Sequence, residues 1–135
     1  MAVARTVLVI DDDPDVREAL QVVLEGRGLR VECAEDGEAG IAHVLRAPPD
    51  LMILDMMMPR ASGFVVLERL KQHHGLPVPV IMLTANDSDQ QRQYAEFLGA
   101  DIYLRKPIRP AQLFQAVDRF CPPAVVTPVP VAVTS

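Results

Sequence analysis

The sequence predicts a flavodoxin-like, doubly wound α/β fold: a (βα)5 three-layer sandwich whose parallel sheet has strand order 2-1-3-4-5. Three observations predict it. Five short apolar runs are bounded by turn or polar residues, five segments with helical spacing lie between or after them, and the two kinds alternate regularly along one domain-sized chain. Repeated β-α units with right-handed crossovers form an open parallel sheet with helices on both faces. For five strands, 2-1-3-4-5 is the most common order, and it places ligands beyond the carboxyl ends of strands 1 and 3, where the winding reverses.

The strand segments are Val7 to Ile10 (β1), Arg30 to Ala34 (β2), Leu51 to Leu54 (β3), Val78 to Leu83 (β4) and Ile102 to Leu104 (β5). Most are continuously apolar, as strands covered on both faces require. The more mixed β2 belongs at an edge. In the first helix, α1, Val16, Leu20, Val23 and Leu24 share one stripe; Asp13 is the expected N-cap, Pro14 opens the helix, and Gly26 or Gly28 stops it. The remaining helices are read from Gly37 to Leu45 (α2), Phe64 to His73 (α3), Ser88 to Leu98 (α4) and Pro110 to Phe120 (α5). The folded domain therefore covers residues 1–120. From Cys121 to Ser135 the chain reads CPPAVVTPVPVAVTS, with four prolines and no charge, the pattern of a flexible tail or the start of a linker.

The chain has 135 residues, 50% of them hydrophobic and 23% charged, which suits one globular domain with a real core. Its formal charge of −5 argues against direct nucleic-acid binding, because neutralising phosphates needs clustered Lys and Arg. Cys33 and Cys121 lack metal-ligand spacing and are expected to be reduced thiols. No secretory signal and no uncharged apolar stretch of about 20 residues is present, so the cytoplasm is the expected compartment and no membrane partner is expected.

Chemistry-bearing residues gather at the strand ends: Asp11-Asp12-Asp13 after β1, Asp55 after β3, Thr84 after β4, and Arg105-Lys106-Pro107 after β5. Crowded carboxylates repel one another unless a cation shares their site. Oxygen-only ligands select a hard ion, and Mg2+, which takes one or two carboxylates plus phosphate oxygens, suits this inventory. An Asp can be a covalent nucleophile toward phosphorus, and Asp55, alone at the end of the central strand, is the best placed. Asp11 and Asp12 are better suited to hold metal and water. An ammonium such as that of Lys106, about 4 Å from a phosphoryl oxygen, gains roughly 4 kcal/mol at an effective dielectric near 20. Thr84 offers a hydroxyl donor, and small Ala85 leaves room for the incoming group; a reorienting hydroxyl could move the segment from Asn86 to Gln90. A cis Lys106-Pro107 bond would turn the lysine inward.

Together the motifs VLVIDDDPDVREAL, PDLMILDMMMP followed by Gly63, VIMLTA and GADIYLRKP resemble the response regulator receiver family of two-component signalling, over residues 5 to 120. The resemblance implies that Asp55 is the phosphoacceptor, Asp12 a direct Mg2+ ligand, Asp11 a ligand through water, and the Met57 carbonyl a third ligand. It also implies that Thr84 and Lys106 sense the phosphate and that Tyr103 is a switch aromatic. The implied partners are a histidine kinase or phosphotransfer protein upstream and a protein target or tethered output domain downstream. The responding surface would be the α4-β5-α5 face with Tyr94 and Tyr103, where a homodimer could also form. Such a domain is regulatory rather than an enzyme, although it assists its own phosphorylation and dephosphorylation. Ala61-Ser62 departs from the family's loop pattern, and Met57 and Asn86 occupy positions that vary.

Plainer roles compete for several of these residues. Asp13 reads as a helix cap favoured by the dipole, Met56, Met57 and Met58 as packing residues, and the polar run Gln90 to Gln93 as a solvated helix face. His43, His73 and His74 read as exposed, none a phosphodonor. Two other functional classes also remain. A receiver-like binding module would work without phosphorylation, and a Mg2+ phosphohydrolase would use a strand-1 D-x-D nucleophile such as Asp11 and Asp13; identifying the aspartate that takes up phosphate separates them.

Overall fold

In the computed structural model, residues 4–85 and 88–122 are described. The elements are β1 (Thr6–Ile10), α1 (Pro14–Glu25), β2 (Arg30–Ala34), α2 (Gly37–Arg46), β3 (Leu51–Asp55), α3 (Gly63–Leu67) continuing as a π-helical stretch (Glu68–His73), β4 (Val80–Thr84), α4 (Asp89–Leu98), β5 (Ile102–Arg105) and α5 (Pro110–Phe120). All neighbours in the sheet run parallel, in the expected order 2-1-3-4-5, with β2 and β5 at the edges.

Alternation along the strands builds two cores. Val7, Val9, Leu51, Ile53, Ile81 and Leu83 face α1 and α5, where Leu20, Leu24, Leu113 and Val117 meet them. Leu8, Ile10, Met52, Leu54, Val80 and Met82 face the other layer and pack with Ile41, Val44, Val66, Leu67, Ala95 and Leu98. Because β1, β3 and β4 bury both sides, their sequences are almost uniformly apolar, and only the period of two separates the layers, whereas the edge strands β2 and β5 keep polar residues.

Local capping matches the sequence. Asp13 caps α1 by accepting from the Asp15 N–H, with Pro14 in the first turn, and Asp36 and Ser62 cap α2 and α3. Gly99 ends α4 in the left-handed conformation, at φ 114°, which suits a residue without Cβ.

Several expectations shift. β4 begins at Val80 rather than Val78; Val78 is buried, but it lies before the ladder, where the Pro79 carbonyl accepts from Met52. The third helix widens after Leu67, with His74 N–H bonding back to Arg69 and Leu76 N–H to Leu70. The half-buried Lys71 in this stretch donates to the Val78 carbonyl. His43 is not exposed. Its Nε2 lies 2.6 Å from Glu32 Oε2, and its side chain is 16% accessible, because α2 lies over β2. His73 and His74 are exposed, as expected. Of the three methionines, Met56 is buried and Met58 packs against the core, whereas Met57 is 66% exposed. Both cysteines are free thiols, Cys33 exposed and Cys121 buried. Among the described residues no helix is long and apolar enough to cross a membrane. The tail reading falls almost wholly on residues 123–135, outside the described residues, as do Asn86 and Asp87.

Candidate functional site

Strand parity sets the site before any ligand is considered. In β1 and β3 the odd-numbered residues face α1 and α5, and extending that alternation to the strand ends brings Asp11 and Asp55 to the same side. In β5 the even residues face that side, which adds Lys106. Thr84 and Tyr103 have the opposite parity, and Tyr103 packs against the α3-α4 layer. Asp55 pairs in register with Leu83, and Thr84 with Arg105, so the ends of β3, β4 and β5 lie side by side.

Asp11, Asp12 and Asp55 each offer a carboxylate oxygen, and these oxygens all lie within 4.8 Å of one another. Asp11 and Asp55 are buried, whereas Asp12 is exposed. Lys106 Nζ sits 3.1 Å from Asp11 Oδ2 and 3.3 Å from Asp55 Oδ1. Burial pulls the Lys106 ammonium down, but the Asp11 hydrogen bond and the charges of Asp55 and Asp11 outweigh it and hold its pKa above the ordinary value. Asp55 goes the other way. Burial, then repulsion from Asp11, push its pKa up to about 6, against the opposing pull of Lys106 and the Met57 N–H. One ammonium therefore does not neutralise the acidic cluster, which remains a receptor for further positive charge. Hard carboxylate oxygens at this spacing fit Mg2+.

The surrounding loops hold these groups in place. Asp11 Oδ1 accepts from the Asp13 N–H at 3.0 Å, and the Asp11 carbonyl accepts from Arg17 Nη1 at 2.8 Å. The Met57 N–H approaches Asp55 Oδ1 at 3.4 Å. Gly63 packs directly against the end of β3: a Cβ there would fall 2.6 Å from the Asp55 carbonyl oxygen and 2.9 Å from Met56 Cα. The Ala61-Ser62 departure is accommodated, Ala61 being buried beneath Gly37 while Ser62 caps α3. Arg60, just before it, has φ 71°, a conformation that costs a side-chain-bearing residue about 1–2 kcal/mol. The Lys106-Pro107 bond is cis.

The structure thus brings together Asp11, Asp12, Asp55 and Lys106, with Met57 beside them. Thr84 is fully buried at the end of β4, and its carbonyl accepts from the Lys106 N–H at 2.7 Å. Tyr103 is half-buried, its hydroxyl 3.6 Å from Met56 Sδ, with the Arg92 guanidinium 5.5 Å from its ring centre. Tyr94 does not join it. Its ring packs edge-on against Phe64, with centroids 5.1 Å apart, so Arg92 is the α4 residue that reaches Tyr103. The sequence carries no mark for Arg17, an arginine on α1 whose bond to the Asp11 carbonyl needs the folded turn, or for the close contact that requires Gly63.

The family model of the response regulator receiver domain matches residues 7–118. The chain is 36% identical over 110 residues to the transcriptional regulatory protein DltR of Streptococcus agalactiae serotype III, covering 82% of this chain and 49% of that one. It is 35% identical over 116 residues to an uncharacterized 14.6 kDa protein of Leptolyngbya boryana, covering 85% and 88%. Among solved structures, the chemotaxis protein CheY4 of Vibrio cholerae superposes with a TM-score of 0.82 at 29% identity, over 87% of this chain and 99% of that one. The chain belongs to the response regulator receiver family of two-component signalling, a regulatory domain whose known function is to accept a phosphoryl group. It spans about half the length of DltR and of several other curated relatives it matches.

Proposed function

We propose that Asp55 is the phosphoacceptor and that Lys106 and Thr84 grip the transferred group. The observation that carries this reading is a buried carboxylate at the end of the central strand, 3.3 Å from a half-buried ammonium and within ligand spacing of two more carboxylates. An Asp55 oxygen attacks phosphorus of a phosphohistidine; the new O–P bond forms as the P–N bond breaks, and the imidazole leaves with the electron pair and takes up a proton. Asp11, Asp12 and Asp55, with the Met57 carbonyl, are the residues that would hold Mg2+. When bound, the ion supplies positive charge that offsets the crowded carboxylates and the phosphoryl oxygens. Lys106 supplies the protein's own positive charge, and Thr84 a hydroxyl donor. In this sense the domain assists both gain and loss of its phosphate.

Phosphorylation adds about 1.5 to 2 negative charges. The differential pull on Lys106 and Thr84 then favours a second arrangement of the α4-β5-α5 face, with Tyr103 as the aromatic that follows Thr84. The donor in this reading is a histidine kinase or phosphotransfer protein, and the output is a protein target or a tethered domain. The D-x-D hydrolase reading is disfavoured because Asp13 is occupied as the α1 cap. Intact-mass measurement after incubation with Mg2+ and a small phosphodonor such as acetyl phosphate tests the assignment. One added phosphoryl group on wild type and none on Asp55→Asn is expected; equal labelling removes Asp55 from its role.

A further inference from the structure

A cavity of about 490 Å3 opens beside the phosphorylation site, lined by Arg92 from α4, by Tyr103, Leu104, Arg105 and Lys106 along β5, and by Pro107, Arg109 and Gln112 leading into α5. Among the described residues that line it, none is acidic. The Lys106 ammonium is already engaged by Asp11 and Asp55, and the Arg92 guanidinium lies over the Tyr103 ring, so the charge offered to the cavity comes from Arg105 and Arg109. Among the described residues neither Arg105 nor Arg109 forms an ion pair.

Arg109 is the least expected of them. It is the N-cap of α5, a position where Ser, Thr, Asp or Asn satisfies the first free N–H groups, and its side chain makes no capping bond. The first turn that follows holds no acidic residue. A cation at a helix N-terminus opposes the helix dipole, so this arrangement costs stability in the isolated domain and is relieved when negative charge arrives from outside. Arginine forks bind carboxylates in pairs of parallel hydrogen bonds.

We propose that this groove docks an acidic segment of a partner protein, with Arg105 and Arg109 as the residues that select it. The inference rests on the proposed function only in taking the α4-β5-α5 face as the one that meets a partner. A nucleic acid fits less well, because the cationic lining is short, the neighbouring cluster of Asp11, Asp12 and Asp55 is acidic, and the chain carries a net −5.

The test is fluorescence anisotropy of the full chain with a labelled octaglutamate peptide at low salt, compared with an octaglutamine peptide and an octathymidine oligonucleotide. Saturable binding of octaglutamate alone is expected, weakened about tenfold or more by Arg105→Gln with Arg109→Gln, and little changed by the equal charge loss Arg30→Gln with Arg46→Gln on the opposite edge. No saturable octaglutamate binding, equal weakening by both double variants, or tighter oligonucleotide binding would each overturn the proposal. So would a concentration-dependent dimer abolished by the Arg105/Arg109 double variant, which would make a second copy of the chain the occupant. Both arginines are exposed, so circular dichroism should be unchanged. Phosphodonor labelling of the double variant should match wild type; its loss there would show that the substitutions reach the phosphorylation site and would overturn Arg105 and Arg109 as residues of a separate groove.

Discussion

Asp55 is where the costs of this site concentrate. Its pKa stands at about 6 against an ordinary 3.8, so in metal-free protein the folded state holds its proton more tightly than the unfolded chain does. Between those values the folded state binds more protons, and stability falls as pH rises; above about 6 the penalty is complete. A shift of about two units corresponds to roughly 3 kcal/mol at most. In urea unfolding with chelator present, Asp55→Asn is therefore expected to exceed wild type in stability by about 1–3 kcal/mol at pH 7.5, with the gap closing toward pH 4. A gap that stays constant with pH would show that Asp55 is not strained by charge. Lys106 has the opposite balance, and Lys106→Met leaves Asp11 and Asp55 facing each other unrelieved. Asp55 was legible from sequence because a charged residue closing an apolar strand run has few structural explanations. The burial of His43 was not, since it depends on Glu32 of a strand that α2 covers only after folding.

At the scale of elements, the β3-α3 connection is the tightest joint. Gly63→Ala forces a Cβ to within 2.6 Å of the Asp55 carbonyl oxygen, a backbone atom that cannot swing aside. A loss of about 2–3 kcal/mol in urea unfolding is expected, accompanied by slower phosphodonor labelling, because the loop that moves carries Met57. Removing the α2 cap by Asp36→Ala is expected to cost about 1 kcal/mol and to leave labelling intact, since that bond, 2.8 Å to the Ala39 N–H, lies outside the acidic cluster. Helix existence and polarity were readable because caps, prolines and glycines punctuate the chain. The widening after Leu67 was not: an inserted residue barely alters the apolar spacing, and the departure shows only in the backbone bonds. The contact between Tyr94 and Phe64 was likewise invisible, because it joins two helices that meet only after folding.

Across the whole molecule, two apolar layers separated by a one-residue alternation hold an acidic pocket open at one edge. Mg2+ is expected to stabilise wild type by about 1.4 kcal/mol at ten times its dissociation constant and to do so much less in Asp12→Asn, read as a thermal shift with and without chelator. Asp12 is exposed, so that substitution tests the pocket without emptying the core. Periodicity was enough to settle the element types, the layer count and the set of residues at the strand ends, because each strand's pattern reports its own burial and each turn its own chemistry, while the strand order came from the topology most common for five parallel strands. Which of those residues meet one another depended on register between strands far apart in the chain. That register puts Lys106 against Asp11 and Asp55, sets Tyr103 against the α3-α4 layer, and opens the arginine-lined groove from three elements that meet only when they are packed together.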